Sequence, residues 1–158
     1  MSEPNWISTE MLRDLTARAM AAPRRRKNHN FHTGEAAPCQ RLLNAVEPDS
    51  YIPPHRHLDP DKDETIVLLS GRIGIVFFDE TGTITGDAVL DVAASRFGVT
   101  IPANTYHSHV ALTTGSVFFE AKAGPYRPLA ENERAPWAPN ENDLAAPAYL
   151  ATLRRRFA

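Results

Sequence analysis

The chain has 158 residues, 23% of them charged, and a formal net charge of −2. This length suits one domain with its own core, and the charge is too small to attract nucleic acid or an anionic membrane surface. The single cysteine, Cys39, excludes an intrachain disulfide and predicts a cytoplasmic location, and we expect it to be a small buried residue. No apolar run approaches the ~20 residues of a membrane-spanning helix.

The first periodic segment, residues 8–21, predicts a helix on the outside of the domain. Apolar residues recur at helical spacing, Ser8 or Thr9 can cap the start, and Pro23 ends it. The basic cluster at residues 24–27 is more typical of a solvated turn than of a binding patch. Beyond it, 13 prolines and eight glycines are spread between short apolar runs, which favours an all-β domain.

The pattern predicts about eight short strands, as in a sandwich or closed barrel. They are placed at residues 27–32, 40–46, 83–90, 97–101, 106–112 and 116–122, with two apolar strands within residues 64–78 and a further strand running into residues 55–57. Residues 70–72 predict a tight hairpin. The proline-rich tail from residue 124 is expected to wrap the surface before a last helix, which Asn142 or Asp143 caps.

Four residues have the chemistry of metal ligands. On an extended segment, His55 and His57 project to the same side, so both imidazoles can face one ion. Glu64 opens an apolar strand, where an inward carboxylate needs a counter-charge. His107 follows a turn at residues 102–104. Three imidazoles and a carboxylate predict a site for one divalent transition metal, namely Fe, Zn, Mn, Ni or Co.

Each ligand candidate also has a less specific interpretation. The histidine pair can lie in an exposed loop, Glu64 can pair with Lys62 or Arg56, and His107 can be an ordinary strand histidine. Only the combination of all four favours the metal site.

His109 is the candidate catalytic residue, because it shares strand parity with His107. It can be a fifth ligand, a proton shuttle or a hydrogen-bonded core residue, and for a single histidine the last role is the most common. Tyr106 and Ser108 have the opposite parity and are expected to point away from the site.

Two polar groups have roles that the sequence leaves open. Asn28, Asn30 and His32 share a strand face that is either exposed or part of a pocket wall. Glu120 and Lys122 either support the site or simply pair with each other.

These residues carry a resemblance to the cupin superfamily. His-x-His, a following Glu, six residues and a Gly within residues 55–71 are similar to its first motif, and Pro-x-Asn-x-x-His at residues 102–107 is similar to its second. The resemblance implies one cupin jelly-roll β-barrel with flanking N- and C-terminal helices. It also implies that the metal ligands are His55, His57, Glu64 and His107.

Within the cupins, the chain resembles the WbuC family of cupin-fold metalloproteins. The similar stretches are residues 23–28, 30–32, 40–44, 54–57 and 135–139, and the family shares the six-residue gap before Glu64. That family is named after a member encoded in an O-antigen polysaccharide cluster, so a polar or sugar-like substrate is implied. We expect one domain, with an N-terminal helix and basic turn (1–26), a barrel (27–126), and a proline-rich wrap with a C-terminal helix (127–158).

Three functions are compatible with these expectations. The first is a metal-dependent isomerase or epimerase acting on a small polar molecule. The second is an Fe(II)-dependent dioxygenase, which uses the same ligands. The third is a cupin module that binds a ligand without turnover. The expected partners are a small-molecule substrate and a second copy in a homodimer, with no nucleic acid or membrane.

Overall fold

The computed structural model describes residues 3–158 and consists of strands between two terminal helices. The elements are α1 (Thr9–Ala21), β1 (Arg26–Asn30), β2 (Cys39–Val46), β3 (Glu64–Ser70), β4 (Arg72–Phe78), β5 (Ile84–Asp91), β6 (Gly98–Ile101), β7 (Tyr106–Ala111), β8 (Ser116–Ala123) and α2 (Ala146–Arg155). A short 3-10 turn at Glu131–Glu133 interrupts the tail. No helix in residues 3–158 is both long and apolar enough to cross a membrane.

The strands form two antiparallel sheets, one in the order β1-β2-β8-β3-β6 and the other in the order β5-β4-β7. The inner faces of both sheets supply one apolar cluster, Val46, Ile66, Leu68, Ile73, Ile75, Leu90, Ile101, Ala111 and Phe118. This cluster is the core of the barrel. The predicted all-β jelly roll with a helix at each end is confirmed.

Each helix covers the outer face of one sheet. Leu15 and Ala19 of α1 pack on Leu43 and Val117 of the five-stranded sheet. Helix α2 and the tail pack on the three-stranded sheet through a second cluster, which includes Val76, Phe78, Val110, Leu150 and Leu153. Strands β4 and β7 are therefore buried on both faces, which explains the unbroken apolar run of β4.

Helix α1 begins where the sequence pattern predicts. The Ser8 side chain accepts a hydrogen bond from the Met11 amide, which is the N-cap interaction expected of serine. Glu10 lies in the first turn, where its negative charge interacts favourably with the helix dipole.

The predicted hairpin at residues 70–72 is wrong. Strand β3 has β6 and β8 on its two edges, so β4 cannot pair with it and joins the other sheet. The chain crosses between sheets at Gly71, which has a φ of 76°. After the crossing, the Arg72 amide donates hydrogen bonds to the side-chain oxygens of Thr113 and Ser116.

Two further local predictions are also wrong. Residues 51–57 form no continuous strand, and only His55 makes isolated bridges. Cys39 is exposed, because the alternation along β2 turns Gln40 inward and Cys39 outward. Gln40 is buried, and its side-chain amide donates to the Ala37 carbonyl oxygen at 2.9 Å.

We expect Gly71→Ala to lower the free energy of unfolding by about 2 kcal/mol, because it adds left-handed strain and a steric clash. An added Cβ would lie 2.8 Å from the Ser116 Cα. Urea unfolding measures the loss. Gly34→Ala is the matched control, since no atom lies within 4 Å of its added Cβ. Equal stability of both variants would contradict the role given to Gly71.

Candidate metal centre

The two histidine motifs meet through backbone pairing. The His55 amide donates to the His107 carbonyl at 3.0 Å, and the His107 amide donates to the His55 carbonyl at 2.9 Å. The Asn104 amide adds a bond of 2.6 Å to the His57 carbonyl. Asn104 has a φ of 62°, a left-handed conformation that asparagine tolerates. These bonds hold two distant segments of the chain side by side.

The Glu64 carboxylate lies among the imidazoles. Its Oε2 is 3.0 Å from His57 Nε2 and 3.9 Å from His107 Nε2. The His55 ring centroid is 4.7 Å from that of His107 and 5.4 Å from that of His57. The ligand atoms of His55, His57 and Glu64 lie within 4.8 Å of one another, and so do those of Glu64, His107 and His109. Glu64 belongs to both groups.

Backbone carbonyls orient two of the imidazoles. His55 Nδ1 is 3.0 Å from the Pro53 carbonyl oxygen, and His107 Nδ1 is 2.8 Å from that of Thr105. Each Nδ1 therefore carries the proton as the donor, which leaves the Nε2 lone pair free to bind a metal. The buried His107 Nε2 has no hydrogen-bond partner within residues 3–158.

Burial and charge set the protonation of this cluster. Burial lowers the pKa of His55 well below its ordinary value, and His107 lowers it further. Burial likewise lowers the pKa of His107. Burial alone would raise the pKa of Glu64. The nearby Lys122 and the hydrogen bond from His57 outweigh the effect of burial and hold this pKa well below its usual range. The neutral imidazoles of His55 and His107 thus lie beside an ionised Glu64 carboxylate.

The donor set fits a divalent transition metal. Two ligand atoms that each bind an ion at about 2 Å lie about 3–4 Å apart. The distances from Glu64 Oε2 to the Nε2 atoms of His57 and His107 fall in that range. The mixture of imidazole nitrogens with one carboxylate oxygen suits Fe, Zn, Mn, Ni or Co.

His109 lies beside this group, and its ring centroid is 5.3 Å from that of His107. It is buried, and within the described part of the chain its Nε2 has no hydrogen-bond partner, so this atom does not fit the role of a hydrogen-bonded core residue. Burial, with a smaller effect of His107, lowers the pKa of His109 to about 3. Its imidazole is therefore neutral near pH 7. Tyr106 and Ser108 point away from this group as predicted, and Ser108 donates to the Ile52 carbonyl at 2.6 Å.

The candidate centre opens into a cavity of about 510 Å³. His55, Glu64 and His109 line it, together with apolar side chains such as Ile52 and Phe118. The tail contributes to its wall through residues 126–142. Two of the four candidate ligands, His55 and Glu64, therefore border space that a small molecule can enter.

A buried ionic network lines one wall of the cavity. Glu120 Oε1 is 2.5 Å from Lys122 Nζ, and Glu120 Oε2 accepts a hydrogen bond of 2.7 Å from Asn44. Lys122 Nζ also lies 3.6 Å from Glu64 Oε2. Burial and then the Glu64 charge raise the pKa of Glu120. The two carboxylates thus share the charge of one ammonium group.

The basic cluster at residues 24–27 is not simply a solvated turn. Arg24 and Arg26 both contact the Glu141 carboxylate, at 2.7 Å and 2.8 Å, and both line the cavity. Arg25 pairs with Asp49 at 3.0 Å. The sequence offered no local signal for the Glu141 contacts, because the partner lies in the tail.

The undecided strand face at β1 lies away from the cavity. Asn28 and Asn30 are exposed and hydrogen-bond to each other at 2.8 Å. His32 lies beyond the end of β1 and contacts the backbone of Arg41. None of these three side chains lines the cavity.

A comparison with protein families decides the classification. The family described as "Domain of unknown function (DUF6016)" matches residues 7–90. The chain belongs to the DUF6016 family. The match covers His55, His57 and Glu64 and ends before His107. No curated protein matches the sequence.

Solved structures show the fold of this DUF6016 member. KdgF from Halomonas sp. has a TM-score of 0.51 at 16% identity, with 67% of this chain and 84% of that chain covered. The SPY1581 protein of unknown function from Streptococcus pyogenes has a TM-score of 0.52 at 10% identity, with coverage of 80% and 93%. Identities this low show the fold alone, which is the cupin fold.

We expect Lys122→Met to lower the unfolding free energy of the metal-free protein by about 3 kcal/mol, because it leaves Glu120 and Glu64 without a counter-charge. The double variant Glu120→Gln/Lys122→Met is expected to lose about 1 kcal/mol less than the sum of the single variants. Urea unfolding of the four proteins checks this cycle. Strict additivity would show that the pair does not interact energetically.

Proposed function

We propose that this DUF6016 protein binds one divalent transition metal through His55, His57, Glu64 and His107 and acts as an enzyme on a small polar molecule. One observation carries the proposal: His55 and His107 present unprotonated Nε2 atoms toward a buried carboxylate at the base of an open cavity. Imidazoles held by their Nδ1 atoms and facing a carboxylate are typical of a built metal site.

A bound ion of this kind supplies Lewis-acid chemistry, which polarises a carbonyl group or acidifies a hydroxyl group. The chain's own residues have separate tasks in the proposal. Glu64 supplies the negative charge, and the backbone carbonyls of Pro53 and Thr105 hold two imidazoles in the tautomer that binds metal. His109 faces the cavity with a free Nε2, where it can exchange a proton with a substrate.

An isomerase or epimerase is the reaction class that we propose, because its proton transfers need no group beyond those described. The relation to the WbuC family, a sugar-like substrate, a cytoplasmic location and pairing into a homodimer belong to the same proposal. Turnover without O₂ would separate this class from the dioxygenase.

We expect the protein purified without chelators to contain about one metal ion per chain, and His55→Ala and His107→Ala to lose most of it. Removing one of four ligands removes a large part of the binding free energy, while the apolar barrel core is untouched. Mass spectrometry measures the metal content, and circular dichroism checks the fold. His32→Ala is the matched control, since this histidine lies outside the cavity.

His109→Gln provides a second comparison within the same experiment. This variant keeps all four proposed ligands, so its metal content is expected to equal that of the wild type. Loss of metal as complete as in His107→Ala would make His109 a ligand. Equal metal content in every sample, including both alanine variants, would refute the proposed site.

A further inference from the structure

Within the described residues, more cationic than anionic side chains line the cavity. Four are cationic: Arg24, Arg26, Lys122 and Arg134. Three are carboxylates: Glu64, Glu120 and Glu141. The chain as a whole has a net charge of −2, so the excess in the cavity is opposite in sign to that of the protein. Because this lining carries one more positive than negative charge, it favours an anionic ligand over a cationic one.

Three of the four cations already have carboxylate partners. Arg24 and Arg26 share Glu141, and Lys122 lies between Glu120 and Glu64. Arg134 differs, because within residues 3–158 it forms no ion pair. Its guanidinium makes a single long hydrogen bond there, of 3.4 Å to the Leu129 carbonyl. Arg134 is therefore the cavity cation that is free to take an external anion.

Backbone pairing places Arg134 next to the candidate metal centre. His55 forms a second antiparallel bridge with Arg134, in addition to its bridge with His107. The Ala135 amide donates to the Pro54 carbonyl at 3.1 Å, and the Arg56 amide donates to the Glu133 carbonyl at 2.9 Å. The backbone of Arg134 is thus fixed beside His55, while its side chain stays exposed.

We propose that the cavity binds a small polar molecule with a carboxylate group, and that Arg134 binds this carboxylate while the rest of the molecule extends toward the metal centre. This inference rests on the proposed function, from which it takes the metal centre as the place where the substrate reacts. The planar guanidinium presents donors in a fork that matches both oxygens of a carboxylate. Arg24, another arginine of the cavity wall, holds a carboxylate of the chain itself, that of Glu141, in this way.

Titration calorimetry on the metal-loaded protein tests the inference with two probes. Gluconate and glucitol are six-carbon polyols that differ at one terminal carbon, a carboxylate in the first and an alcohol in the second. We expect gluconate to bind at least about tenfold more tightly, as a charged hydrogen bond contributes on that scale. Arg134→Gln is expected to reduce this preference to about threefold or less, since the amide keeps a donor but not the charge.

Arg127→Gln is the matched control, because Arg127 is an exposed arginine of the same tail that does not line the cavity. It should keep the full preference for gluconate. Gluconate that binds no more tightly than glucitol, or not at all, would overturn the inference. A preference that survives Arg134→Gln would overturn the role of Arg134.

Metal analysis of the same samples keeps the two proposals separate. Protein without metal would refute the proposed function. Even in that case, the comparison of gluconate with glucitol decides this inference. The four cationic side chains of the cavity are part of the protein and are present whether or not a metal ion is bound. Protein with full metal and no preference for gluconate would refute the inference alone.

Discussion

The antiparallel bridge between His55 and His107 is the interaction on which the candidate site depends. Its two backbone hydrogen bonds join an extended segment before β3 to the first strand after the Asn104 turn. Without them, the segment that carries His55 would not be paired with β7, the strand that carries His107. With them, the rings lie 4.7 Å apart, and their Nδ1 atoms remain free to bond to carbonyls within their own segments. The same segment pairs with Arg134 on its other edge, so the mouth of the cavity is positioned by the same backbone.

The inner face of the five-stranded sheet changes from apolar to charged along its strands. Leu68 and Phe118 lie side by side on the inner face of the five-stranded sheet, in the apolar core. Glu64 and Glu120 lie on the same inner face and line the cavity. Carboxylates buried at that depth are costly unless they are paired. Lys122 neutralises part of this charge, and we propose that a metal ion neutralises more. The apolar residues that stabilise the barrel and the charged residues of the candidate site thus lie on different parts of the same strands.

Much of the fold could be predicted from local patterns. The two-residue period fixed which side chains of β7 share a face, so His107 and His109 were correctly separated from Tyr106 and Ser108. Spacing also drew attention to the histidine pair and to Glu64, because ligand types at those intervals are rare by chance. The turn predicted at residues 102–104 precedes His107 in the structure, and Asn104 has a left-handed conformation there.

What the sequence could not provide depends on contacts between distant segments. The crossing at Gly71 was predicted as a hairpin, because sheet membership depends on β6 and β8, which follow later in the chain. The Glu141 partner of Arg24 lies 117 residues away, and no local pattern connects them. Arg134 likewise reaches the cavity only because the tail pairs with His55.

A crystal structure of the metal-loaded protein, with anomalous diffraction recorded at the absorption edge of the metal found in it, tests the central claim most directly. We expect one strong anomalous peak bounded by the Nε2 atoms of His55, His57 and His107 and a carboxylate oxygen of Glu64, each at about 2 Å. A peak coordinated by other residues, or a fully loaded protein with no peak among these four, would contradict the assignment.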